Sequence, residues 1–180
     1  MVFHETTISS TNIFSGKIIN LKVDKVRLPD GRTSTREIVS HPGAVAVVAI
    51  NEKKQLLMVR QFRKAVDEIL IEIPAGKLEA NEDIYECAQR ELMEETGFYA
   101  KKIRHLVDLY TSPGFSNEII HLFLAQELVE RQLPTDDDEN IQVELVDMDD
   151  AIEKTKNGYF KDAKTVAGIL LSYQQLKDEL

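Results

Sequence analysis

The chain has 180 residues, with 22 Lys and Arg against 31 Asp and Glu and a formal net charge of −9. That length suits one good-sized domain, or one domain with a small appendage, and the acidic balance without any Lys/Arg cluster argues against a general nucleic-acid binder. A single cysteine, Cys87, excludes an intramolecular disulfide; no apolar run is long enough to span a membrane, and the polar start Met1–Ser10 is not that of a signal peptide, so a cytoplasmic protein is expected.

In chain order, the first strand is expected at Lys17–Leu28, where Ile19, Leu21 and Val23 alternate, after a start that carries His4 and no pattern of its own. Asp30-Gly31 is a hairpin turn into a second strand at Thr35–Val39, and His41-Pro42-Gly43 breaks the chain. Ala44–Ile50 is a continuous apolar run, the mark of a strand buried on both faces. A polar turn at Asn51–Lys54 precedes strands at Gln55–Phe62 and Ile69–Ile73. Further strands are expected near Ile103–Tyr110, Glu118–Ala125 and Ile141–Val146, the last after an acidic loop running from Pro134 to Asn140. Val166, Ile169, Leu170, Tyr173 and Leu176 recur at helical spacing, so the C-terminus reads as an amphipathic helix. Lys177-Asp178-Glu179-Leu180 spells an ER-retention tetrapeptide, but here reads as the charged end of that helix. Strands and helices in this mixed order predict an α/β fold, a sheet packed between helices.

The informative stretch lies between Gly76 and Phe98. It fits G-x5-E-x7-R-E-U-x-E-E-x-G-U, with U a bulky apolar residue, at Gly76, Glu82, Arg90, Glu91, Leu92, Glu94, Glu95, Gly97 and Phe98. A chance match in such a chain is roughly one in a million or rarer. Asn81 as N-cap and Gly97 at C′ predict a helix from about Glu82 to Thr96. At about 100° per residue, Ile84, Cys87 and Ala88 form an inward stripe. One turn on, that stripe reaches Glu91 and Glu95, flanked by Glu94. Carboxylates that point inward and crowd one another are costly unless a cation neutralises them. An all-oxygen donor set favours Mg²⁺ or Mn²⁺ over zinc. Cys87, on the same stripe, reads as a small core residue, and His4, His41, His105 and His121 show no ligand spacing.

This segment resembles the Nudix box, the metal-binding loop–helix–loop of enzymes that hydrolyse nucleoside diphosphates linked to another group. The resemblance implies Glu91 and Glu95 as principal metal ligands, Glu94 as a second-ion or bridging ligand, and the Ala75 carbonyl as a backbone ligand. Arg90 would orient the glutamates, with Glu86 and Glu94 at i−4 and i+4, and Glu82 would have a more peripheral part. The family fold is an α/β/α sandwich.

Beyond the box, Arg36-Glu37-Ile38-Val39, His41-Pro42-Gly43-Ala44-Val45 and Ile73-Pro74-Ala75-Gly76-Lys77 are similar to segments of the ADP-ribose pyrophosphatase subfamily. Pro113, in Ser112-Pro113-Gly114, stands fifteen residues beyond Phe98, where that subfamily carries its marker proline. The resemblance covers residues 13 to 176. It implies a homodimer in which an N-terminal β segment, 1–42, is exchanged between subunits beside a hydrolase domain, 43–180. Arg36 and Glu37 would then reach the partner's site, Arg36 stacking on adenine. Ile18 falls where relatives often place an aromatic against the base, a departure that leaves the base contact open. Arg63 matches an arginine at the substrate phosphates, although Arg60 and Arg63 also fit an exposed strand end. The base implied by the long loop is Glu139, with Asp136, Asp137 and Asp138 beside it; Glu118 is a second candidate, for positioning substrate or water.

The expected function is therefore Mg²⁺-dependent hydrolysis of ADP-ribose to AMP and ribose 5-phosphate, with Mn²⁺ as alternative ion. Another nucleoside diphosphate sugar, GDP-mannose or ADP-glucose, is the alternative substrate. A sensor that binds such ligands without cleaving them is the third reading, and the intact box acids weigh against it.

Overall fold

A computed structural model describes residues 3–134 and 140–178, the side chains as far as 177. The chain divides into two compact units, residues 1–43 with 110–119, and residues 44–109 with 120–180.

The first unit is a three-stranded antiparallel sheet in the order β1-β2-β3: β1 Thr6–Ser15, β2 Asn20–Arg27 and β3 Thr33–Ser40. The β2–β3 turn holds Gly31 at φ 88°, as Asp30-Gly31 predicts. Strand β1 lies where the sequence shows no pattern. Its residues are all exposed, so no buried face imposes an alternation; pairing with β2, with register shifts at Thr7/Ser9 and Asn12/Phe14, defines it instead. The second strand starts at Asn20, three residues later than expected, because the Gly16 amide closes a turn on the Ile19 carbonyl at 2.9 Å. The 110–119 segment joins this unit through an isolated bridge from Ser116 to Val39 and a 2.7 Å bond from the Val39 amide to the Phe115 carbonyl.

The second unit is an α/β/α sandwich. Its seven-stranded mixed sheet has the central order β10-β5-β4-β9-β8, with two further strands pairing onto β5 and β4. The strands are β4 Ala44–Ile50, β5 Gln55–Arg63, β6 Glu68–Glu72, β7 Ala75–Lys77, β8 Phe98–Tyr110, β9 Ile119–Glu130 and β10 Gln142–Asp147. β6 pairs with β5 and β7 with β4. The apolar run of β4 is buried on both faces as predicted. Ala46, Val48 and Ile50 face one cluster, which includes Met148, Ile152 and Ile169 of helices α2 (Met148–Lys156) and α3 (Ala163–Asp178). Val45, Val47 and Ala49 face the other, which includes Cys87, Ala88 and Leu92 of α1 (Ile84–Thr96). In α3 the expected stripe holds for Val166, Ile169, Tyr173 and Leu176, while Leu170 points outward at 45 % exposure. Among the described residues no helix is long and apolar enough to cross a membrane.

Candidate active site

Helix α1 starts later than Asn81 suggests. Asp83 is the N-cap, its Oδ1 accepting from the Tyr85 amide at 2.8 Å and the Glu86 amide at 3.3 Å. Asn81 sits two residues earlier at φ 64°, a conformation asparagine tolerates, so the cap type was read correctly and its position two residues too early. The helix ends where expected, with Gly97 left-handed at φ 78° and its amide on the Met93 carbonyl at 3.0 Å. Gln89 fastens the helix to the following strand, its amide group exchanging two bonds with the backbone of Ala100.

This placement aims the inward stripe of α1 at β7. Cys87 and Ala88 are fully buried, and Glu91 and Glu95 are 8 % and 5 % exposed. The Ala75 amide donates to Glu95 Oε2 at 2.9 Å. Glycine at 76 is required by close approach: a Cβ there would stand 1.8 to 2.0 Å from the carboxylate atoms of Glu91. Arg90 lies across the group, donating from Nη1 to Glu91 at 2.7 Å and Glu94 at 2.8 Å, and from Nε and Nη2 to the two oxygens of Glu82. Its partner on the N-terminal side is therefore Glu82, eight residues back, rather than Glu86. Glu82 also accepts from the Glu79 amide at 3.0 Å. The Arg90 guanidinium pushes the Glu82 carboxyl down to about 2, and Glu82 in turn raises Arg90 above its usual range. Burial raises the Cys87 thiol, so it stays protonated and inert.

Three carboxylates, Glu82, Glu91 and Glu94, thus share the Arg90 guanidinium, and Glu95 stands beside them on the Ala75 amide, so acids outnumber the cation in a largely water-shielded cluster. The donor set is all oxygen, and Gly76 leaves room for Glu91 to turn toward β7. These residues fit a hard divalent cation.

Arg63, at the end of β5, makes a two-pronged ion pair with Glu72, both bonds 2.8 Å. Glu72 is 1 % exposed and also binds Lys164. Burial would raise its carboxyl, but Arg63 and Lys164 outweigh burial and hold it below the ordinary value. Arg63 also feels the negative field of Glu95. Neither Glu72 nor Lys164 carries a signal in the sequence, since Lys164 meets Glu72 only when α3 packs on the sheet. Arg60 pairs with Glu144 of β10.

Arg36, Glu37, Ile18, Pro113 and Glu118 lie in the first unit. Arg36 is gripped by Glu5, from Nε to Oε2 at 2.9 Å, and its charge is reinforced by that bond. Glu37 on β3 is exposed, and Ile18, in the β1–β2 turn, is 52 % exposed. Pro113 lies in the turn closed by the Ser116 amide on the Ser112 carbonyl at 2.9 Å. Glu118 accepts from Thr111 Oγ1 at 2.6 Å, with His41 Nδ1 at 3.7 Å. Glu139 and its neighbours Asp136, Asp137 and Asp138 lie outside the described residues.

Two family models match the chain in consecutive stretches. The NUDIX domain model matches residues 40–168. The chain belongs to the Nudix family. A second model, the nucleoside diphosphate sugar hydrolase N-terminal domain, matches residues 5–39. The chain is 48 % identical to an ADP-ribose pyrophosphatase of Bacillus subtilis (strain 168), over 98 % of this chain and 95 % of that one. It is 45 % identical to a methanol dehydrogenase activator of Bacillus methanolicus, over 99 % and 97 % of the two chains. A crystal structure of an ADP compounds hydrolase superposes with a TM-score of 0.89 at 20 % identity, covering 99 % of this chain and 98 % of that one. That likeness concerns the fold. In this Nudix protein the box helix sets buried Glu91 and Glu95 against β7, with Arg90 bonded to Glu82, Glu91 and Glu94.

Proposed function

We propose that this Nudix protein hydrolyses the pyrophosphate of a nucleoside diphosphate sugar, with ADP-ribose as substrate and Mg²⁺, or Mn²⁺, as cofactor. The observation that carries the reading is the cluster of Glu82, Glu91 and Glu94 on Arg90, with Glu95 beside it on the Ala75 amide. Water adds to one phosphorus of the pyrophosphate, the bridging P–O bond breaks, and the products are AMP and ribose 5-phosphate. Glu91, Glu94, Glu95 and the Ala75 carbonyl would hold the ion. When bound, it acidifies water and offsets negative charge on the phosphate oxygens. Arg90 keeps Glu91 and Glu94 in place, and Glu82 keeps Arg90 in place. Arg63, fixed in orientation by Glu72, would meet the substrate phosphates.

A base outside the ligand set takes the proton of the attacking water. Glu139 fills that role in this reading, with Asp136 to Asp138 and Glu118 as the alternatives. Residues 1–42 would act as an exchanged segment in a homodimer beside the hydrolase domain of 43–180. Arg36 and Glu37 would then serve the partner's site, Arg36 after release from Glu5, with Ile18 and Pro113 at the substrate. A cytoplasmic place of action belongs to the same proposal.

The description of the N-terminal family model favours the wider class of nucleoside diphosphate sugars, so another sugar is the second reading. The test is kcat/KM with Mg²⁺ on ADP-ribose, ADP-glucose, GDP-mannose, NADH and a nucleoside triphosphate. We expect ADP-ribose to lead. A lead by GDP-mannose or ADP-glucose would move the substrate within the class, and binding without turnover of any compound would make the protein a sensor.

A further inference from the structure

Two histidines that sequence spacing leaves apart meet on the sheet. His105 and Asp108 stand on β8, and His121 on β9, its neighbour. In an unbroken strand, residues three apart point to opposite faces. The alternation of β8 slips between Leu106 and Val107, which are consecutive yet both pack against the α2/α3 cluster, whereas Ile103 packs on the α1 side. The slip brings His105 and Asp108 to the same face. His121 pairs in register with Val45, whose side chain belongs to the α1 cluster, so it shares that face.

There the polar atoms converge. His105 Nε2 lies 2.6 Å and His121 Nδ1 2.7 Å from the same oxygen, Asp108 Oδ1, and all three ligand atoms are within 4.8 Å of one another. The His105 ring stands edge-on to buried Phe123 at 5.4 Å, and Phe123 meets Tyr85 of α1 at 5.0 Å, so packing constrains the imidazole. His121 is 16 % and Asp108 47 % exposed at the side chain, which leaves a path from solvent.

We propose that His105, Asp108 and His121 form a second divalent-metal site, one that takes a borderline transition ion of the Zn²⁺ type. Two imidazole nitrogens and one carboxylate select such ions over Mg²⁺, and three protein ligands leave a fourth position for water. Donors at about 2.1 Å from a tetrahedral ion stand roughly 3.4 Å apart, so each imidazole has to move about 0.7 Å further from the Asp108 oxygen. The half-exposed Asp108 can supply that movement.

The register places this site away from the box acids. His121 pairs with Val45 and Val45 with Gly76, so the His121 and Gly76 backbones lie two strand spacings, roughly 10 Å, apart. The two sites share no ligand. The second ion cross-links the edge strand β8 to β9 beside the start of α1.

The experiment uses the full chain carrying Glu91→Gln and Glu95→Gln, so that the box no longer competes for metal. Co²⁺ is titrated by its visible d–d absorption, Zn²⁺ is the competitor, and folding is checked by circular dichroism. We expect one Co²⁺ per chain with the intense bands of a four-coordinate nitrogen and oxygen set, displaced by Zn²⁺. At about a hundredfold excess over Kd, Zn²⁺ should raise Tm by roughly 5 °C or more. Adding His121→Gln or Asp108→Asn should weaken Co²⁺ binding at least about tenfold, and adding His41→Gln should not. No stoichiometric binding, or equal binding in the His121→Gln background, would overturn the site and leave a hydrogen-bonded triad. Should His121→Gln not fold, the imidazole ¹⁵N shifts of the parent decide: Zn²⁺-induced movement at His105 and His121 supports the site, and movement only at His4 or His41 overturns it.

Discussion

Two carboxylate networks in the sandwich unit use the same kinds of side chain to opposite ends. Around Glu72 the charges balance: Glu72 and Asp162 are matched by Arg63 and Lys164. Asp162 also accepts from the Thr165 hydroxyl at 2.6 Å, and that oxygen accepts from the Ile73 amide at 3.0 Å. This network closes on itself and ties α3 to β6. Around Arg90 the charges do not balance, because Glu82, Glu91 and Glu94 crowd one guanidinium and Glu95 adds a further carboxylate on the Ala75 amide. A buried network whose charges cancel serves structure, whereas one with a net negative charge favours a cation from outside. In the proposed function, that excess charge is what holds the ion.

If that contrast is right, the largest single effect comes from neutralising a ligand of the unbalanced network. Glu95→Gln should lower turnover by about a thousandfold or more while leaving the fold intact. Its Tm without metal should equal or exceed that of the wild type, since one of the crowded charges is gone. A turnover near normal would remove Glu95 from the metal site.

The balanced network should respond the other way. Glu72→Gln leaves Arg63 and the nearly buried Lys164 short of a partner and should cost about 3 kcal/mol of stability, measured by urea unfolding. The pH dependence has a definite sign. The carboxyl of Glu72 is held below its ordinary value of 4.5 in the folded state. Its contribution is therefore complete above that value and is lost as pH falls through the lower folded-state pKa. Wild type and Glu72→Gln should differ most at neutral pH and converge in acid below about 4.5. Parallel curves down to acid unfolding would contradict the assignment.

Gly76→Ala separates activity from stability more finely. The added methyl would occupy the space of the Glu91 carboxylate, which can swing away at little cost to folding. The ligand would then be misplaced, and we expect a drop in kcat/KM of about a hundredfold with weaker Mg²⁺ dependence. Tm should stay within about 2 °C, since the displaced group is the far end of a flexible side chain.

The unbalanced network was legible in the sequence because a helix has a period: Cys87 and Ala88 fixed the buried stripe, and Glu91 and Glu95 followed one turn later. The central strand β4 was legible for a similar reason, since an apolar run has few other fates. Contacts made through space were not. Glu72 looks like any strand-end acid until α3 brings Lys164 to it. His105, Asp108 and His121 converge only because β8 slips at Leu106 and Val107. Local signals failed where two residues competed for one role, as with Asn81 and Asp83 at the cap of α1. They failed also where burial was absent, as along β1. Short α2 went unseen as a nine-residue helix whose N-cap Asp147 makes no side-chain capping bond.

The smallest effect tests how the unbalanced network is held. Glu82 touches Arg90 with both oxygens but belongs to no ligand set, so Glu82→Gln removes the anchor of the positioning residue and leaves Glu91, Glu94 and Glu95 in place. Arg90 retains its bonds to Glu91 and Glu94, so orientation is loosened rather than lost. We expect about a tenfold fall in kcat with KM little changed, a raised Mg²⁺ requirement, and recovery of part of the loss at high Mg²⁺. A loss as deep as that of Glu95→Gln, insensitive to added Mg²⁺, would make Glu82 a ligand. No loss at all would mean that Arg90 is held by the ligands it was thought to hold.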